Sequence, residues 1–113
     1  MTNKTLTHIN YKIMKTTINE IEGKLVATFE GELDTAAAIE VEKEMKPLYD
    51  NEDKDIVIDC EKLEYIASSG LRILLGILKK AKSHGHTVTL KGLNDDIKNV
   101  FKMTGFINLF TFE

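Results

Sequence analysis

The sequence predicts a single α/β domain, a mixed and mostly parallel sheet of four to five strands with an N-terminal hairpin, covered by about three to four helices. Three observations lead there. Strand-like runs alternate with helical stretches of roughly 10–15 residues, the pattern of βαβ units with right-handed crossovers. The first two runs alternate apolar and polar side chains around Glu22-Gly23. The chain has 113 residues, 42% hydrophobic and 29% charged, the composition of one ordinary globular domain. A chain of this length buries roughly two-thirds of its unfolded surface, enough for a core without disulfides or metal.

Residues 1–13 precede the periodic part and are set apart as an N-terminal extension, leaving 14–113 as the domain. The runs at 15–21 and 24–29 read as a β-hairpin. Asp34 stands where a helix cap belongs, and after it Ala38, Val41, Met45, Leu48 and Tyr49 recur at helical spacing. Pro47 removes a helical hydrogen bond, so the helix bends or ends near it. Acidic residues crowd the linker 50–55.

Ile56 to Cys60 is a short strand of the type buried on both faces of a parallel sheet. Ser68-Ser69-Gly70 opens a helix with Leu71, Leu74, Leu75, Leu78 and Ala81 on one stripe, and Gly85 ends it. Residues 87–91 form another β-branched strand. Asn94 caps a helix with Asp95 and Asp96 in its first turn, where the helix dipole favours them. Ile97, Val100 and Phe101 are its buried face, Gly105 its end, and 109–112 a last short strand.

Several functions are disfavoured at once. Net charge is −3 and no Lys/Arg-rich block occurs, which argues against nucleic acid and acidic membranes as partners. The apolar stretches are too short to span a membrane. The single cysteine, Cys60, lies in an apolar run and reads as a buried strand thiol in a reduced, cytosolic protein. No Gly-x-Ser-x-Gly elbow, phosphate loop or Cys-x-x-Cys is present. His84 and His86 flank Gly85 without a third ligand nearby, so a polar turn is expected there and not a metal site.

Functional loops of open α/β sheets gather at the carboxyl ends of parallel strands. Two loops run from such ends into helices, 30–34 and 65–70. If their strands are parallel neighbours, Asp34 and Ser69 share one rim. Ser68 and Ser69 are natural N-caps; one suffices, and the other is surplus beside a glycine that permits close approach. A hydroxyl at a helix N-terminus is also well placed to carry a phosphate.

Four segments in register carry a family resemblance. Phe29-Glu30-Gly31-Glu32-Leu33-Asp34 resembles the "GELD" segment of STAS domains, the family of anti-sigma factor antagonists. Ile56-Val57-Ile58-Asp59-Cys60, Ser68-Ser69-Gly70-Leu71 and Val100-Phe101-Lys102-Met103-Thr104-Gly105 resemble the family's three later landmarks. The resemblance implies a binding protein and not an enzyme. It would capture a serine-kinase anti-sigma factor, be released by phosphorylation of a serine, and be restored by a PP2C-type phosphatase. It implies no cofactor. The phosphoacceptor falls on Ser69, its neighbour on Ser68 and the loop aspartate on Asp34, while the aspartate that often precedes the serines is Ala67 here.

Two other readings stand beside this one. A STAS-like subunit of another assembly, in stress signalling or lipid transport, would bind protein without being phosphorylated. A hydrolase using Ser69 would need a base near it, and both helix-end histidines lie at the far end of its helix. For the docking face, Ile73 and Ile77 lie about 160 to 200 degrees round the helix from Leu75. A neighbouring helix covers part of this excess. The remainder is expected to join Ser69, Gly70 and Arg72 at the partner surface, with Asp34 in a dual role as cap and contact.

Overall fold

A computed structural model describes residues 14–113; the expectation for residues 1–13 lies outside them. Strand β1 (Lys15–Ile21) turns through Glu22-Gly23 into β2 (Lys24–Leu33). Both turn residues have positive φ, 51° and 78°, the twist that a two-residue hairpin between right-handed strands requires. Helix α1 (Thr35–Glu44) follows, then short α2 (Lys46–Tyr49), β3 (Ile56–Ile66), α3 (Ser68–Ser83), β4 (Val88–Lys91), α4 (Asp95–Thr104), a 3-10 turn (Phe106–Asn108) and β5 (Thr111–Phe112). Pro47 sits in the first turn of α2, where its missing N–H would be unpaired in any case; the bend expected there is a break between two helices.

The strands lie in the order β1-β2-β3-β4-β5. The first pair is antiparallel and the rest are parallel, as the sequence predicts. Every parallel crossover thus steps in the same direction. With right-handed connections this puts the intervening helices on one side of the sheet. Burial follows: Ala27 and Phe29, then Ile56, Ile58 and Cys60, then Val88 and Leu90 are buried, while the alternate residues Val26, Thr28, Val57, Asp59 and Thr89 are only half-buried.

The expectation that 56–60 is covered on both faces is therefore corrected. The strand is longer than its apolar run, and its Val57 and Asp59 point to the open side. The core lies between the sheet and α1, α3 and α4. At its far end the Phe101 ring meets Phe110 and Phe112 edge-on, at centroid distances of 5.7 and 5.8 Å, which holds the two-residue strand β5 in place.

Candidate functional site

Leu33, the last residue of β2, pairs with Ile66, the last of β3. The residue after β3, Ala67, donates its N–H to the Leu33 carbonyl at 2.8 Å. The loops entering α1 and α3 are thereby tied side by side, so Asp34 and the two serines do share one rim.

The two helix starts differ. Asp34 is the N-cap of α1, and its Oδ1 accepts from the Ala37 N–H at 2.8 Å, as expected. In α3 the cap position is occupied by Ala67, whose extended backbone (φ −88°, ψ 169°) and carbonyl bond from Leu71 N–H at 3.0 Å mark it as the cap. The assignment of a serine to that role is corrected: Ser68 and Ser69 are already the first two helical residues. With no side-chain cap, the first N–H groups of α3 lack the side-chain acceptor that α1 has.

Ser68 is exposed and Ser69 half-buried. The Ser69 Oγ is shielded from solvent and has no hydrogen-bond partner among the described residues. A phosphate on it requires the side chain to rotate outwards. Gly70 is buried. A Cβ there would stand 2.7 Å from Leu33 Cγ and 2.9 Å from Ile66 Cγ1, so its lack of a side chain lets α3 settle onto the ends of β2 and β3. That packing role removes Gly70 from the exposed docking face.

Ile73 and Ile77 are likewise corrected. Their relative exposures are 2% and 0%, so neither is open to a partner. The reason is the position of α3. Its buried residues run from Ile73 and Ile77 through Gly70, Ala81 and Leu74 to Leu78 and Leu71, an arc of roughly 160°. On the Ile73 side the helix is covered by α1 and α2: the Tyr49 hydroxyl donates to the Ile73 carbonyl at 3.3 Å and to Glu42 at 2.9 Å. Leu75, assigned to the core stripe, is only half-buried, whereas Arg72 is exposed.

The remaining reactive groups lie elsewhere. Cys60 is buried, and desolvation, aided by the neighbouring Asp59 charge, pushes its thiol up to about 12, which disfavours the thiolate. His84 is exposed. His86 is half-buried in its turn, with Nδ1 3.2 Å from Asp55 Oδ1 and Nε2 3.0 Å from the Glu52 carbonyl. Asp55 also accepts from the Thr87 N–H at 3.0 Å; that bond first, and His86 second, hold its carboxyl below the usual carboxylate range. Both histidines lie beyond the C-terminal end of α3, with Ser69 at its start. Among the described residues no group of three His, Cys, Asp or Glu is placed to hold a metal ion, and no helix is long and apolar enough to cross a membrane.

Five large apolar side chains are exposed among the described residues, Ile21, Ile39, Tyr65, Met103 and Leu109, and two of them lie near the rim. Tyr65, 51% exposed, pairs with Glu32 just before the rim, and Ile39, 64% exposed, is on α1. The only available signal for Ile39 is an apolar residue off the helix stripe.

Comparison with known proteins agrees with this architecture. The chain is 32% identical over 97 residues to a Bordetella bronchiseptica protein named anti-sigma factor antagonist BtrV, covering 86% of this chain and 84% of that one. Among solved structures, an anti-sigma factor antagonist from Mycobacterium paratuberculosis superposes with a TM-score of 0.76 at 24% identity, over 89% of this chain and 86% of that one. The Bacillus cell fate determinant SpoIIAA in its phosphorylated form gives 0.67 at 18% identity, over 88% and 91%. The family model of the STAS domain matches residues 12–113, and the chain belongs to the STAS domain family.

Proposed function

We propose that this protein is an anti-sigma factor antagonist: a binding protein that captures a serine-kinase anti-sigma factor and is released when that kinase phosphorylates Ser69. A PP2C-type phosphatase would restore capture, in a cytosolic cycle that needs no cofactor. The observation that carries this reading is the rim itself, where Ser69 enters the first turn of an uncapped helix beside the loop of Asp34. The relationship to BtrV supports the antagonist role. Ser69 is then substrate and not catalyst, in keeping with the distance from it of His84 and His86, the two histidines among the described residues.

The energetics favour a switch by contact and not by refolding. A phosphate adds about −1.5 to −2 charge at a helix N-terminus with free donors, a gain typically of 0.3–1 kcal/mol. Arg72, one turn on and exposed, is a candidate counter-charge. Inside a complex the same group is desolvated against a surface fitted to a bare hydroxyl. Such an unmatched charge costs several kcal/mol, where about 1.4 kcal/mol is tenfold in affinity.

Titration of the kinase against wild type, Ser69→Ala and Ser69→Asp tests this. Ser69→Ala is expected to bind without accepting phosphate. Ser69→Asp is expected to bind at least about a hundredfold more weakly at a near-normal melting temperature. Phosphate found on Ser68 by mass spectrometry, or none after incubation with kinase and ATP, overturns the assignment. A second reading, a STAS protein-binding subunit of another assembly that is never phosphorylated, draws on two observations: Ala67 in place of an aspartate and the shielded Ser69 Oγ. Kinase binding without phosphate transfer would favour it.

A further inference from the structure

We propose that Ile39 is an apolar anchor of the surface that holds the anti-sigma factor, placed on the lip of α1 across the α1–α3 seam from Ser69. This rests on the antagonist reading above and adds a residue that the motifs do not contain.

Helical phase fixes the placement. The seam between α1 and α3 is marked by Tyr49, whose hydroxyl bonds Glu42 of α1 and the Ile73 carbonyl of α3. A Cβ on Gly76 would lie 3.1 Å from the same hydroxyl. Ser69 stands seven residues before Gly76, which returns it to the same face of α3 within about 20°. Ile39 stands three residues before Glu42, about 60° further from the core, on the seam side of α1. Both helices start at the same rim, Ser69 as the second residue of α3 and Ile39 as the fifth of α1. Their offset along the helices is therefore about 4.5 Å, and packed helix axes lie about 8–10 Å apart. One docking element can cover both.

Burial separates Ile39 from its surroundings. It is 64% exposed, while Ala38 and Val41 of the same helix are 5% and 2% exposed and form its core contact. Its place is continuous with the serine on which the proposed kinase must act, and this favours the anti-sigma factor as occupant.

The test is calorimetric titration of wild type, Ile39→Glu, Ile39→Ala and Glu40→Lys with the purified serine-kinase anti-sigma factors of the source organism, each loaded with Mg-ADP. Melting temperatures and sedimentation are measured in parallel. Glu40 lies on the opposite flank of α1 and serves as the charge control. At least about a tenfold loss for Ile39→Glu is expected, a smaller loss for Ile39→Ala, and a change within about twofold for Glu40→Lys. Binding within about twofold for Ile39→Glu, or an equal loss for Glu40→Lys, overturns the proposal and leaves the antagonist reading standing. So does a wild-type dimer that Ile39→Glu disrupts. If Ile39→Glu fails to fold, Ile39→Ala decides by the same criterion. Failure of wild type to bind any of these kinases overturns the antagonist reading and this proposal together.

Discussion

The starts of α1 and α3 share one backbone geometry and differ in whether the cap side chain closes the first turn. Each follows a parallel strand, and those strands end paired at Leu33 and Ile66. Each makes its first helical bond at ordinary length, 2.9 Å from Ala38 N–H to the Asp34 carbonyl and 3.0 Å from Leu71 N–H to Ala67. In α1 the cap carboxylate closes the turn; in α3 a methyl group stands in its place. The first helix start is closed by its own side chain, whereas the second, which carries Ser68 and Ser69, has no side-chain cap; under the proposed function, those donors are the ones a phosphate would meet.

The contrast can be broken most severely at Gly70. Gly70→Ala drives a Cβ into Leu33 and Ile66 and lifts the α3 start from the strand ends. A loss on the order of 2 kcal/mol in urea unfolding is expected, against a helix-propensity gain of up to about 1 kcal/mol for Ala over Gly.

Exchanging the caps comes next. Asp34→Ala is expected to cost about 1 kcal/mol, and Ala67→Asp to add about 1 kcal/mol, by the same measurement. Equal signs would show that the two starts are not equivalent structurally. Asp34→Asn keeps the cap without the charge, so a change in kinase affinity with unchanged stability would assign Asp34 a contact role as well.

Ser69→Ala removes a shielded hydroxyl that has no partner among the described residues. A gain of a few tenths to about 1 kcal/mol is expected in thermal unfolding, and a loss of that size would mean the hydroxyl has an acceptor in solution.

The smallest effect belongs to the other end of the sheet, where Asp55 receives Thr87 N–H and His86. Its carboxyl is depressed in the folded state. Its stabilisation is therefore present above the ordinary carboxylate value near 3.9 and is lost as pH falls through the folded value. Asp55→Asn, which retains an acceptor for Thr87, is expected to cost a few tenths of a kcal/mol at neutral pH, because the Asp55 side chain is 45% exposed. The variant's stability should also fall less steeply below about pH 4.

Much of this was legible in the sequence because it is local. Alternation around Glu22-Gly23, the Asp34 and Asn94 caps, and the helix stop at Gly105 each depend on residues within a turn of one another, and all four appear. What escaped is set by distant segments. The 56–60 run looked doubly buried because Val57 is apolar, yet the side of the sheet that receives helices is decided by the direction of successive crossovers. Ile73 and Ile77 looked surplus because the stripe of α3 was drawn for one contact surface, whereas α1 and α2 supply a second. The serines were assigned to capping by residue type, although backbone geometry gives that position to Ala67. The rim itself needed β2 and β3 to be neighbours, which the sequence stated only as a condition.

The strand order has a further consequence, in time and not in space. Because each strand after β1 adds beside the one made just before it, a chain emerging from the ribosome never waits for a later segment to complete an earlier pairing. Each loop closure spans only the crossover between neighbouring strands, which keeps contact order low for a parallel sheet. Protease protection of ribosome-held chains of increasing length should rise in steps after β3, β4 and β5, and a single step at full length would contradict this order. The rim of Asp34 and Ser69 requires only the chain through α3, so it would take shape ahead of the 26 residues from β4 to Glu113.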